Sequence, residues 1–302
     1  MELNSFQEEM RHFLPEIELR FEEPMSRHTS LRIGGPAEVM AFPQNPQELA
    51  HILKVSKELD ITCVILGAGT NILAPDEGCR GLIICLKDCL GGMELLPGNC
   101  IRVMAGVTMA RAAVFAANHG LSGLEFAHGI PGTVGGGVYM NAGAYGGEMS
   151  GICRSVTLMD RAGQLREVNA RELEFSYRHS KLQESGEIVI SAALQLQPAA
   201  PEEVKQKMRE LQAKRLASQP LDYPSAGSAF KRPAGGYAAA LIDQAGLRGF
   251  QVGQAAIARK HAGFAINLGG ATAAEMRELL TQVSDRVFRQ TGIRLEPEIR
   301  IW

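Results

Sequence analysis

The sequence predicts an α+β fold with mixed sheets, built as two ligand-clasping α+β subdomains followed by a smaller C-terminal α+β domain. Three observations predict it. Short runs rich in Val, Ile and Leu alternate with segments whose apolar residues recur at helical spacing. Glycine concentrates at 67–69, 129–137, 143–151 and 227–236, where strand ends can meet a ligand by close backbone approach. A chain of 302 residues also exceeds the usual reach of a single core. The expected boundaries are 1–200 for the first domain, with subdomains near 20–95 and 96–200, and 201–302 for the second.

Along the chain, strands are expected at 37–42, 62–66, 82–86, 101–105, 153–160, 188–196, 263–267 and 293–301. Four helices have a local cause. Asn45 caps the first, with Pro46 at its first position and Glu48 completing a capping box; Leu49, Ile52, Leu53, Ser56 and Leu59 trace its mainly apolar face. Thr108 starts the second and Gly120 ends it. The third, PEEVKQKMRELQAKRLAS, is charged and amphipathic through Val204, Met208 and Leu211, and reads as a linker helix opening the last domain. In the fourth, Thr272 and Glu275 repeat the capping box, and Met276, Leu279, Leu280, Val283 and Val287 form the stripe. Gly292 stops it.

Composition narrows the function. Apolar residues make up 45% and charged residues 21%, an ordinary globular balance. The formal net charge of -2 gives no electrostatic reason to expect nucleic acid or an anionic membrane as partner. The acidic N-terminal segment has no continuous apolar core, so it is not expected to be a signal peptide, and no apolar run approaches a bilayer span. Six cysteines, Cys63, Cys79, Cys85, Cys89, Cys100 and Cys153, form no CxxC pair, and no histidine stands at zinc-ligand spacing. Buried reduced thiols in a soluble cytoplasmic protein, with no metal, are expected.

The segment ITCVILGAGTNILAPDEG enters a G-A-G turn from an apolar strand, which suggests a Rossmann fingerprint. The third glycine position is Ile72, however, and the chain passes Pro75 and Gly78 into another strand, GLIICL, instead of a helix. Nor does a Gly-Lys-Ser/Thr follow. What is left is a tight loop whose amides, with the Thr70 hydroxyl and Asn71 amide, suit an anion nest; a plain turn is equally open on this loop alone. The second loop, EFAHGIPGTVGGGVYMNAGAYGGE, shifts that balance. Gly129, Pro131, Gly132, Gly135, Gly136 and Gly137 are too dense for a helix chosen for stability, since each interior Gly costs about 1 kcal/mol against Ala. A backbone pressed against a pyrophosphate would explain them, with helix–sheet packing as the alternative.

The two loops together resemble the FAD-binding domain shared with vanillyl-alcohol oxidase and p-cresol methylhydroxylase. Within that superfamily the chain resembles the UDP-N-acetylenolpyruvoylglucosamine reductases. TSLRIGGPAE, FSYRHS at 175–180, PSAGSAFKRP at 224–233, KHAGFAINLGGAT at 260–272 and the terminal LEPEIRIW follow in that order across nearly the whole chain. The short segment after FSYRHS is similar to the family's second structural type. The resemblance implies non-covalent FAD held by Gly67, Ala68, Gly69, Thr70 and Asn71 in the first loop. In the second it implies Gly129, Ile130, Pro131, Gly132, Val134, Gly135, Gly136, Ala142 and Gly143. NADPH is the implied co-substrate. No obligate protein partner is expected, only the UDP-sugar and the nicotinamide.

The implied reaction saturates the enolpyruvyl ether of UDP-N-acetylglucosamine to the lactyl ether of UDP-N-acetylmuramate, for peptidoglycan precursor synthesis. Hydride from flavin N5 adds to the vinyl carbon C3, enediolate-like charge develops at C2 and its carboxylate, and C2 then takes a proton. Such a site needs a fixed cation or acid at the carboxylate and a proton donor at C2. By the family motifs, Arg178 grips the carboxylate, Glu298 hydrogen-bonds the developing enediolate and Ser228 supplies the proton. Read alone, each has a plainer role: a surface arginine, a glutamate on an edge strand and a turn serine. Asn141, Tyr145, Lys231, Lys260 and Asn267 lie in matching motifs as substrate contacts, while His128 and His261 receive no catalytic role. The family often has Asn where this chain has Arg232. With no second dinucleotide fold in the sequence, NADPH is expected to share the flavin's cleft. A flavin oxidase of the same fold, using oxygen, is the competing reading, and a non-catalytic nucleotide-sugar binder a third.

Overall fold

The computed structural model describes residues 4–302, which divide into two compact units. The first comprises the residues up to Phe21 with Val39–Ala68 and Gly81–Lys214; the second comprises Glu22–Glu38, Gly69–Arg80 and Arg215–Trp302. These units cut across the linear boundary at 200/201. Two short stretches, 22–38 and 69–80, make their contacts with the C-terminal residues, which no local pattern announces.

The first unit holds two cores. In one, the Pro46–Glu58 helix buries Leu49, Ile52, Leu53 and Ser56 and joins Met10, Leu14, Val39, Leu82 and Ile84. The helix starts as expected, because Asn45 accepts the Glu48 amide. Glu48 does not close the box on Asn45, though: its carboxylate takes the Gln44 N–H at 2.7 Å and the Asn45 side-chain amide at 2.8 Å. Leu59 is half-buried at the C-cap and so ends that face instead of extending it. The Cys63–Leu66 strand pairs in parallel with Leu82–Cys85.

The other core packs the Met109–Asn118 and Val134–Tyr139 helices against a five-stranded antiparallel sheet. Its order is Leu165–Asn169, Cys153–Met159, Ile188–Gln195, Cys100–Met104 and Met93–Leu96. The central Ile188–Gln195 strand is buried along nearly its whole length, as expected for a run with neighbours on both edges. The two short outer strands escaped the sequence reading for different reasons: polar residues fill three of the five positions of LREVN, and MELL is a four-residue run between Gly91-Gly92 and Pro97-Gly98.

In the second unit, the Ala273–Thr291 helix buries Met276, Leu279, Leu280, Val283 and Val287, each within 2% of full burial. Burial of such side chains contributes about 1.5–3 kcal/mol apiece. Thr272 and Glu275 form the predicted capping box and Gly292 closes the helix at φ +73°. The stripe packs on a sheet ordered Ser225–Ser228, Phe264–Asn267, Ala255–Ile257, Gln251–Val252.

The expected strand at 293–301 is reduced to Arg300–Ile301, which pairs in parallel with Ile72–Leu73. Pro297 lies within the first of two pairings, and the segment changes partner at Ile299: residues 296–298 run beside 229–231, and residues 300–301 beside 72–73. All six cysteines are free; Cys85, Cys100 and Cys153 are buried, while Cys63, Cys79 and Cys89 are half-buried. No helix among the described residues is long and apolar enough to cross a membrane.

Candidate active site

Ser228 owes its position to a bulge. Ser225 stands opposite Ile266 and Ser228 opposite Phe264, so three steps on one strand match two on its neighbour. Gly227 sits in that bulge at φ +81°, and a Cβ there would meet nothing within 4 Å. The glycine is thus required by the left-handed backbone and not by crowding. In a regular ladder Gly227 would face Phe264; the extra residue brings Ser228 there. Ser228 is exposed, and its hydroxyl makes no hydrogen bond among the described residues.

Glu298 lies beside it. The Glu298 N–H donates to the Ala229 carbonyl at 3.0 Å, and the Lys231 N–H to the Glu296 carbonyl at 2.9 Å. From the other side the Asn71 amide nitrogen donates to the Glu298 carbonyl at 3.1 Å. Leu295 and Ile299 are sunk in the core at 2% and 3% exposure, which leaves Glu298 half-buried between them. The backbone around Glu298 is therefore held on both sides, and its carboxylate is carried one residue from the strand that bears Ser228.

Arg178 occupies a tight turn of the first unit. Ser176 and His179 exchange backbone hydrogen bonds at 3.1 and 3.2 Å, with Tyr177 and Arg178 between them. Arg178 has φ +56°, a conformation that costs a non-glycine residue about 1–2 kcal/mol. Its guanidinium donates to the Gly143 carbonyl at 3.1 Å and lies 5.1 Å from the Tyr177 ring. The half-buried guanidinium is thus steered by a fixed carbonyl and an aromatic face.

The glycine loops split into two kinds of position. Val134–Tyr139 does form a helix, capped by Thr133, whose hydroxyl accepts the Gly136 N–H. A Cβ at Gly135 would fall 2.9 Å from the Ala105 Cβ, and one at Gly137 would fall 2.8 Å from the Met109 sulfur. Those two glycines answer to the protein's own helix–sheet and helix–helix packing. The ligand explanation for them is not needed. Gly136 differs: it is exposed, and its nearest neighbour, the Thr133 hydroxyl, stands 3.6 Å from a built Cβ. Thr133 also meets a built Cβ of Gly67 at 2.7 Å, so a side chain at 67 would press on this cap. Thr133 was not singled out from the sequence, although a threonine before VGGG is an N-cap signal. Nearby, the His128 Nδ1 is buried with no hydrogen-bond partner among the described residues. An exposed glycine face, a pinned helix start and an unpaired polar atom fit a flavin nucleotide held by this loop.

Of the remaining candidates, Asn141, Asn267, Lys231 and Lys260 are engaged by the protein itself. Asn267 is 3% exposed; its nitrogen donates to the Leu31 carbonyl and its oxygen accepts the Gly269 and Ala271 N–H groups. Asn141 is 1% exposed, donates to the Ser176 carbonyl and accepts the Ser150 N–H. Both amides therefore shape loops. Lys231 pairs with Glu296, and the Lys260 ammonium donates to the Leu216 carbonyl at 2.6 Å. Tyr145 is exposed at φ +53°, and Arg232 lies over the Tyr237 ring at 4.4 Å. A surface cleft of about 560 Å³ is lined by Leu53, Ser56, Lys57, Ile61 and Cys63 with Asp160–Ala162. It opens at the start of the strand that leads to the first glycine loop and contains none of the candidate residues.

The family model described as an FAD binding domain matches residues 37–169. The model of the UDP-N-acetylenolpyruvoylglucosamine reductase C-terminal domain matches residues 219–302, the part that carries Ser228 and Glu298. A UDP-N-acetylenolpyruvoylglucosamine reductase of Agathobacter rectalis is 44% identical over 299 residues, 95% of each chain. The chain belongs to this reductase family. A reductase of the same name from Streptococcus thermophilus is 42% identical over 97% of this chain and 96% of its own. The crystal structure of a UDP-N-acetylenolpyruvylglucosamine reductase from Thermus caldophilus superposes with a TM-score of 0.78 at 34% identity, covering 95% of this chain and 99% of that one. Physcomitrella patens BBE-like 1, 15% identical with a TM-score of 0.50, shares only the fold, over 63% of this chain and 44% of its own. The protein is an FAD-dependent oxidoreductase with the α+β architecture expected from its glycine loops.

Proposed function

We propose that the protein reduces UDP-N-acetylglucosamine enolpyruvate to UDP-N-acetylmuramate at the expense of NADPH, with Arg178, Ser228 and Glu298 as its catalytic residues. The observation that carries this reading is the Glu298 N–H to Ala229 carbonyl bond, which brings the carboxyl-bearing segment alongside the bulge that presents Ser228. Bound FAD supplies hydride transfer between nicotinamide and substrate. Arg178 holds the enolpyruvyl carboxylate, where a guanidinium stays charged throughout. Glu298, in its protonated form, donates to the carboxylate as negative charge grows there. The Ser228 O–H delivers its proton to C2 and recovers one from solvent. Asn141 and Asn267 serve substrate binding through the loops they hold, and Tyr145, Lys231 and Lys260 through direct contact. The division of labour is FAD over 1–200 and substrate over 201–302, with Arg178, Asn141 and Tyr145 serving the substrate from the first, in the cytoplasm.

The deciding experiment is anaerobic. The flavin of the purified protein is reduced with NADPH, the enolpyruvyl sugar is added, and the flavin absorbance is followed. Rapid reoxidation by the sugar and slow reoxidation by air support the reductase. Reoxidation by oxygen alone would make the protein an oxidase of the same fold.

A further inference from the structure

We propose that Gln183 is a positioning residue for Arg178, an inference that rests on Arg178 as the carboxylate grip. The Gln183 amide nitrogen donates to the Arg178 carbonyl at 3.2 Å and to the Tyr139 carbonyl at 3.1 Å. Tyr139 also receives the Ser180 hydroxyl at 2.7 Å, and Asn141 holds the Ser176 carbonyl at 3.0 Å. The guanidinium of Arg178 in turn rests on the Gly143 carbonyl. Both ends of the arginine, main chain and side chain, are thereby fastened to one short stretch, residues 139–143. Gln183 supplies the main-chain fastening, at a residue with a left-handed φ of +56°, which side-chain-bearing residues adopt uncommonly.

The chemistry selects a primary amide. Two carbonyl oxygens converge on one nitrogen, so the residue must offer two N–H donors from a single atom and carry no charge that would compete with the guanidinium. Leu182, 2% exposed, anchors the short Leu182–Ser185 helix and leaves Gln183 aimed at the turn. Without these donors the Arg178 carbonyl loses the Gln183 N–H and the turn relaxes towards an unstrained conformation. The guanidinium then shifts, and misplacement by about 1 Å is enough to slow a reaction by up to roughly a hundredfold.

The test uses the holoenzyme and two near-isosteric variants, Gln183→Met and Gln183→Glu, neither of which offers an amide donor. Both are expected to lower kcat for the enolpyruvyl sugar by at least about tenfold, with NADPH-driven flavin reduction within about twofold of the parent. On an Arg178→Ala background, Gln183→Met is expected to add less than about twofold further loss, because the two act through one group. Parental kcat in both variants, additive loss with Arg178→Ala, or equal loss of both half-reactions would overturn the proposal. If Arg178→Ala itself turns over like the parent, the assignment of Arg178 fails instead. An impaired Arg178→Ala beside parental Gln183 variants sinks the positioning role alone.

Discussion

The Asn71 side chain donates to the Glu298 carbonyl at 3.1 Å, across 227 residues of sequence. The Asn71 carbonyl accepts the Arg300 N–H at 3.0 Å, so one residue of the first glycine loop brackets Ile299, directly after the catalytic candidate. The family resemblance assigns Asn71 to the flavin, and this bond gives it a second task. Removing a hydrogen bond of this kind costs about 0.5–1.5 kcal/mol. Asn71→Asp keeps the shape and loses the donor. It is expected to slow flavin reoxidation by the enolpyruvyl sugar several-fold, with the loss exceeding any fall in flavin content read from the absorbance spectrum. A rate that falls only in proportion to flavin content would remove Asn71 from the support of Glu298.

Ser228 is exposed, and no structural hydrogen bond depends on it, so Ser228→Ala is expected to leave stability within about 0.5 kcal/mol. Flavin reduction by NADPH is expected to proceed at the parental rate, and reoxidation by the sugar to slow by about a hundredfold or more. Equal loss in both half-reactions would point to damaged flavin binding, and no loss in either would leave the proton donor elsewhere.

The three consecutive glycines of the Val134–Tyr139 helix give a contrast that a ligand-only explanation does not. Gly135→Ala drives a methyl against the Ala105 Cβ at 2.9 Å and its backbone oxygen at 3.2 Å, and is expected to destabilise the protein by about 1–3 kcal/mol. Gly136→Ala meets only the Thr133 hydroxyl at 3.6 Å. Gaining helix propensity, it is expected to stabilise the flavin-free protein by up to about 1 kcal/mol. On its exposed face the same methyl is expected to weaken flavin binding. Thermal midpoints with and without added FAD separate the two effects; a Gly136→Ala protein that binds FAD like the parent would remove this face from the cofactor site.

Where cause and effect lie within a few residues, the sequence was readable. The capping box and stripe of the Ala273–Thr291 helix are local, and so is the absence of a helix after GAGTN that ruled out a Rossmann turn. What escaped depends on distant partners. Asp76 donates nothing to its own loop's pattern, yet its carboxylate accepts the Ala273 and Ala274 N–H groups at 2.7 and 3.0 Å, at the start of a helix 197 residues on. The expected terminal strand is split at Ile299, because residues 296–298 pair with 229–231 and residues 300–301 with 72–73. The bulge at Gly227 was hidden because a glycine between serines reads equally well as a turn. Gln183 carried no signal, since a glutamine in a short polar helix is ordinary until two carbonyls are found on its nitrogen.

His261 supplies a pH dependence with a definite sign. Burial holds its pKa below the usual 6.5, and the nearby Arg248 charge lowers it further, while a backbone hydrogen bond at the ring opposes both. The Nδ1 accepts the Gly263 N–H at 3.1 Å, which only the unprotonated nitrogen can do, and the ring packs edge-on to Phe264 at 5.0 Å. The unfolded chain therefore binds the proton more readily than the folded one. The stability contributed by neutral His261 is complete above about pH 6.5 and is lost as the pH falls through the lower folded value. His261→Asn places an amide oxygen where it can accept the same N–H two residues on and cannot titrate. Urea midpoints measured from pH 8 to 5 are expected to decline more steeply for the parent than for the variant. Parallel declines would mean that carboxylates elsewhere carry the acid sensitivity and that His261 stays neutral without cost.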